Sequence, residues 1–212
     1  MTSLLATACS RSDSAPSVAT AQTPASGGVS YAYDRLPMDS ARTPGAVVDS
    51  VFAMPEMIRR FRDGLPPTAA LIDAPRSQRD LVEQFVRALG QSDRMTLGRL
   101  TLSRAEFAYV YYPLSPDAQR DNGLPPQRRW DQLTLASEKG IGRALTRLGQ
   151  RALTFDAVTC AEAPVRSGAL TVHNGCTVRV KLPDGTTFNG PLFSAIIEFA
   201  GGFKFYGYAN DM

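Results

Sequence analysis

Hydrophobic positions along the chain follow two rhythms that meet near Gly149. Ahead of it they recur three or four residues apart, and behind it they alternate with period two. The clearest helical stretch is 78–89, where Leu81, Val82, Phe85, Val86 and Leu89 form one apolar stripe. Ser77 with Asp80 gives it a capping-box-like start and Gly90 a stop. Residues 46–65 carry a looser stripe, in which Pro55 either opens a new turn or breaks the helix, and Leu65-Pro66-Pro67 ends it. A short helical piece is expected around 93–100. Ser103 and Glu106 form a second capping signature ahead of Phe107–Tyr112, a run without a polar face. That run reads as a buried helix or a buried strand. After a Pro-, Asp- and Gly-rich loop, a long helix is expected over 127–148, with Trp130, Leu133, Ile141, Leu145 and Leu148 on its inner face and Gly149 as its cap.

In the back half, 152–160 reads as a strand. Leu170, Val172, Cys176, Val178, Val180 and Leu182 then share one parity. Asn174-Gly175 signals a hairpin. A two-residue turn there would throw Val178 and Val180 onto the face opposite Val172. The pattern therefore predicts one long strand, bulged at Gly175, with Pro183-Asp184-Gly185 as the turn. A last hairpin joins LFSAIIEF to FKFYGY through Gly201-Gly202, and apolar residues on both its faces mark central strands. The expectation is α+β: N-terminal helices packed on a C-terminal curved antiparallel sheet of about four strands, in a single domain over 43–212.

Composition fits that plan. The 212 residues are 43% hydrophobic and 20% charged, enough for one core plus a tail. The net charge is +3, and of 23 basic residues only Lys139, Lys181 and Lys204 are lysine. The basic residues are scattered, whereas a nucleic-acid binder concentrates them in a stripe, so no nucleic-acid partner is expected. No apolar run approaches the ~20 residues that span a bilayer. Residues 10–42 are dominated at their start by Ser, Ala, Thr, Pro and Gly and read as a tether, reaching on the order of 30 Å as a flexible coil.

The opening Leu4-Leu5-Ala6-Thr7-Ala8-Cys9 resembles a bacterial lipoprotein lipobox, with Ala6 where leucine is usual. Residues 1–9 would then be the remnant of a signal peptide whose true start lies upstream. The resemblance implies a lipid on Cys9, export, a place in the cell envelope, and membrane contact through that anchor alone. The plainer alternative is an Ala- and Ser-rich start with a stray cysteine. With Cys9 acylated, Cys160 and Cys176 remain as a pair, expected to form a disulfide in an oxidising compartment. Closing that loop stabilises by about 3 kcal/mol in the chain-entropy account. Two free thiols in a reducing compartment are the alternative. Their spacing matches neither a redox CxxC nor a zinc site.

Helices across a curved antiparallel sheet resemble, in architecture only, the NTF2-like (cystatin-like) cone family. That resemblance implies a pocket between the concave face and the helices, and it does not fix function, because members serve as enzymes, ligand binders and scaffolds. The sequence offers few candidates for chemistry. His173, the only histidine, is expected to be solvated on the polar side of its strand. Glu106 could be a pocket general acid or base, or the closing residue of a capping box. Glu198, interrupting an apolar strand, could face a cone or join a structural ion pair. Lys139-Gly-Ile-Gly142-Arg143 lacks phosphate-loop spacing. Tyr109, Tyr112, Trp130, Tyr206 and Tyr208 could line a pocket or fill the core. No cofactor or metal is expected. Three functions remain: a non-enzymatic domain binding a small apolar ligand or a partner protein; an acid/base hydrolase or isomerase using Glu106 or Glu198 in a tyrosine-lined pocket; and a scaffold that dimerises without ligand. A cavity shared by Glu106 and Glu198 would favour catalysis, and a filled interior the scaffold.

Overall fold

The computed structural model describes residues 52–120 and 122–210. Cys9, the 10–42 tether and the start of the 46–65 stripe lie outside the described residues. Among the described residues, helices come first and antiparallel strands last, as the change of rhythm at Gly149 requires. The fold is α+β.

The first helix, α1 (Met54–Arg62), begins with Pro55 in its first turn, where a missing N–H costs nothing. Pro55 therefore opens the helix instead of breaking one. Helix α2 (Gln78–Gln91) is capped by the Ser77 hydroxyl, which accepts from the Asp80 amide, and it buries every residue of the sequence stripe. It runs through Gly90, whose bare Cα lies close to the Arg151 carbonyl, and stops at Ser92 in the left-handed region. Helix α3 (Arg94–Arg99) is one short turn capped by Asp93. Helix α4 (Arg104–Glu106) opens on a complete capping box and continues as a π-helix over Phe107–Tyr111, so the apolar run is a buried helix and not a strand. Helix α5 (Pro126–Leu148) is unbroken.

Seven strands follow, in two sheets, where the sequence suggests about four in one. The three-stranded sheet has the order β1 (Thr154–Cys160), β4 (Cys176–Lys181), β5 (Thr187–Gly190). The four-stranded sheet has the order β2 (Val165–Ser167), β3 (Leu170–His173), β6 (Ala195–Phe199), β7 (Gly202–Gly207). All ladders within the two sheets are antiparallel. The expected long strand through 170–182 is in fact two. The chain breaks at Asn174-Gly175, with Gly175 at φ 61°, and passes from one sheet to the other without pairing β3 to β4. The bulge sits instead in β1, between Phe155 and Ala157.

The shared parity of the two strands survives the break because it serves two cores. Cys176, Val178 and Val180 pack with α2, α3 and α5 around Phe85, Phe193, Ile196 and Phe205. Leu170 packs with Leu71, Leu102, Val110 and Ile197, with Val172 against them. The β6–β7 hairpin is covered on both faces, with Ile196 and Phe205 in one cluster and Ile197 in the other, which explains why it is apolar on both sides. A third cluster gathers Phe61, Phe107, Ala108, Tyr112 and Leu133 from α1, the π-helix, the 3-10 turn that follows it (Tyr112–Leu114) and α5. The outer edge of β7 is also covered: Leu102 donates its amide to the Phe205 carbonyl, and Phe205 donates to the Leu100 carbonyl. Cys160 and Cys176 are directly opposed on β1 and β4, their Cα atoms 3.8 Å apart, and are joined by a disulfide.

Candidate functional site

The Ser103–Glu106 capping box is the root of the most polar spot in the interior. Glu106 Oε2 accepts from its own cap, the Ser103 amide, at 2.7 Å, and the Ser103 hydroxyl accepts from the Glu106 amide. The same carboxylate then reaches beyond the helix. Oε1 accepts from the Ile72 amide at 2.6 Å, and Lys204 Nζ lies 2.9 Å from Oε1 and 3.0 Å from Oε2. The Glu106 side chain is fully buried and that of Lys204 is 6% exposed. Three donor groups, two backbone amides and an ammonium that spans both oxygens, satisfy the carboxylate, as a buried charge requires. One side chain thereby ties together the 71–73 turn, α4 and β7.

Glu198 is elsewhere. Ile197 is the cross-strand partner of Lys204, and Glu198 that of Phe203. Successive residues of a strand point to opposite faces, so Lys204 and Glu198 stand on opposite sides of the sheet. Glu106 and Glu198 share no cavity. Glu198 meets His173 instead, Oε2 to Nε2 at 2.9 Å across β3 and β6. The histidine side chain is 12% exposed, and the expectation of a solvated histidine is corrected: the two strands bring the Glu198 carboxylate to its Nε2.

The aromatic candidates divide. Tyr112 is buried and donates to the Leu124 carbonyl at 2.7 Å. Tyr208 is stacked on Phe85 and donates to the Leu97 carbonyl at 2.8 Å. Tyr109 is half-buried under the Arg62 guanidinium. Trp130 packs on Phe107, and Tyr206 lies 4.7 Å from Tyr111, ring to ring. Burial pushes the Tyr112 hydroxyl up to about 12 and raises those of Tyr111, Tyr206 and Tyr208 as well, Tyr206 further because its neighbour Tyr111 is a phenol too. These phenols are neutral at any physiological pH.

Trp130 and Tyr206 do reach a concave surface. They line a depression of about 220 Å³ with Thr101, Arg104 and Glu138. Two neighbouring depressions also include Thr101, one of 220 Å³ against α3 and α5 and one of 460 Å³ above the Glu106–Lys204 pair. All three are open troughs along the 98–104 segment. The Gly-flanked stretch of α5 has a packing role. A Cβ on Gly140 would overlap the Tyr208 carbonyl, and Arg143 donates to the Asn210 carbonyl. Among the described residues, no group of His, Cys, Asp and Glu is placed to hold a metal, and no helix is long and apolar enough to cross a membrane.

No protein-family model, curated protein or solved structure matches this chain.

Sequence reasoning did not find Lys204, Ile72, Met95, Arg94 or Arg99. Lys204 left a faint signal: a rare lysine between two phenylalanines in a strand apolar on both faces. Ile72 sits in a turn, and Arg94, Met95 and Arg99 are on the short helix α3, whose exposed positions have no apolar periodicity to mark them.

Proposed function

We propose that this domain is a non-catalytic binding module of the bacterial cell envelope, held there by a lipid on Cys9 and engaging its partner through the troughs that meet at Thr101. One observation carries the binding half of the reading: Glu106, the best acid/base candidate, is saturated by two backbone amides and the Lys204 ammonium, while the depressions that Trp130, Tyr206 and Tyr208 reach are open. The location half is supported by the Cys160–Cys176 disulfide, a bond that persists in oxidising compartments. An NTF2-like relationship remains part of the proposal, consistent with helices over antiparallel sheet. Mass spectrometry of the protein expressed from its own locus, upstream codons included, tests the location. The expected result is diacylglycerol on Cys9 and an oxidised 160–176 pair. An unmodified Cys9 with two free thiols would overturn it.

A second reading has one observation behind it. The His173–Glu198 pair is a carboxylate–imidazole dyad of the kind that serves acid/base catalysis. It touches none of the three troughs. Screening hydrolase and isomerase substrates with the parent and with Glu198→Gln separates the two: turnover lost in the variant favours the enzyme.

A further inference from the structure

The largest trough has an unusual rim. Five large apolar side chains stand exposed among the described residues, and two of them, Ile72 at 55% and Met95 at 82%, line this one depression. Ile72 is held outward by its backbone. Its amide is fixed on Glu106, and the next residue, Asp73, sits in the left-handed region at φ 52°. The buried ion pair thus presents a hydrophobic side chain to solvent at a point the core does not need. Arg94 and Arg99, both exposed, line the same trough. On the floor Lys204 and Glu106 neutralise each other. The accessible charge is therefore two guanidiniums against the single carboxylate of Asp73.

We infer that this trough docks a segment of a partner polypeptide that carries a large apolar side chain next to carboxylates. The inference rests on the binding reading above and gives it a site and a partner chemistry. A flexible, polarisable methionine beside an isoleucine accommodates an apolar anchor of variable shape. The guanidiniums match carboxylates in bidentate geometry. A small apolar ligand would stay largely wet in so open a trough, because ligand sites bury most of their occupant. A flat bilayer does not fill a concavity.

The test uses the whole chain as bait for a displayed library of random peptides, followed by fluorescence polarisation with synthetic peptides from the enriched clones. Enriched sequences are expected to combine Asp or Glu with Leu, Ile, Phe or Met. Met95→Asp and Ile72→Asp should each weaken binding about tenfold or more, as loss of a central anchor does. Arg99→Glu should weaken it at low salt, with the difference shrinking as salt rises. Leu135→Asp, an equally exposed site on α5, should change nothing. Both apolar positions are too exposed for these changes to unfold the domain. If the enriched peptides bind Met95→Asp and Ile72→Asp as tightly as the parent, the docking site is elsewhere: this inference falls and the binding reading stands. If no peptide is enriched but vesicles of anionic lipid sediment the parent and not Met95→Asp, the partner is a membrane and the inference falls. Failure of both probes would overturn the binding reading as well.

Discussion

Glu106 shows how much one side chain can organise when it is buried with its charge. It closes a capping box, fixes the Ile72 amide and neutralises Lys204, so three separate stretches of chain depend on it. Removing one partner of such a pair leaves an uncompensated charge in the interior, which costs about 3–5 kcal/mol. Lys204→Met should therefore lower the urea midpoint strongly without changing the slope. Breaking the exposed Arg79–Glu83 pair with Glu83→Gln should cost under ~0.5 kcal/mol by the same assay. Equal effects of the two substitutions would remove the organising role assigned to Glu106. The buried phenols make a second prediction. Burial pushes the Tyr112 hydroxyl up from the ordinary phenol value of 10.0 to about 12, and it raises Tyr111, Tyr206 and Tyr208 as well. Between those values the unfolded chain loses protons that the folded chain keeps, so stability is full below about pH 10 and falls as pH rises. An alkaline titration should show phenolate absorbance from these residues appearing together with the loss of near-ultraviolet circular dichroism. Their ionisation near pH 10 with the fold intact would contradict the burial.

The elements were legible where packing is one-sided and illegible where the chain changes sheets. Helix α2 announced itself because a single stripe, a Ser77 cap and a polar outer face all agreed. The capping box at Ser103 was equally plain, although only the fold reveals that Glu106 serves the Lys204 ammonium as well. At 170–182 the alternation was read correctly and its meaning was not. Leu170 and Val172 keep step with Cys176 and Val178 because both strands present their apolar side inward, yet toward different clusters. Parity cannot distinguish one sheet from two. The residue that makes the passage is Gly175, at φ 61°, where a Cβ would also lie 2.9 Å from the Glu162 carboxylate. Gly175→Ala should cost about 1–2 kcal/mol, since the left-handed region is strained for alanine but the Glu162 side chain can swing away. Gly140→Ala should cost more, because a Cβ there meets the rigid backbone of Tyr208. Thermal melts of the two variants check the order, and the reverse order would place the tighter constraint at the sheet crossing.

At the scale of the molecule, the candidate site lies where helical and sheet-forming halves adjoin, along 98–104 and β7. The sequence held little of it, since Ile72 occupies a turn and Met95 and Arg99 a six-residue helix, and a trough is made by three-dimensional proximity that no local pattern encodes. The disulfide was different, because setting Cys9 aside as the lipid-bearing residue left Cys160 and Cys176, both in strand-like segments, as the expected pair, and the structure joins them. Its position gives it leverage. It joins the end of β1 to the start of β4, immediately after the Asn174-Gly175 crossing, and Cys176 is itself buried in the largest core cluster. The bond therefore fixes the point at which the chain leaves one sheet for the other. With a sequence separation of 16 between the two cysteines, its loss should cost about 3 kcal/mol. For a domain of this size that lowers Tm by roughly 10 °C. Melts of the parent with and without reductant, and of a Cys160→Ser/Cys176→Ser double variant, measure it. The double variant should match the reduced parent and gain nothing further from reductant. A variant as stable as the oxidised parent would mean that the sheet crossing holds without its clamp, and would remove the disulfide as an argument for a life outside the reducing cytoplasm.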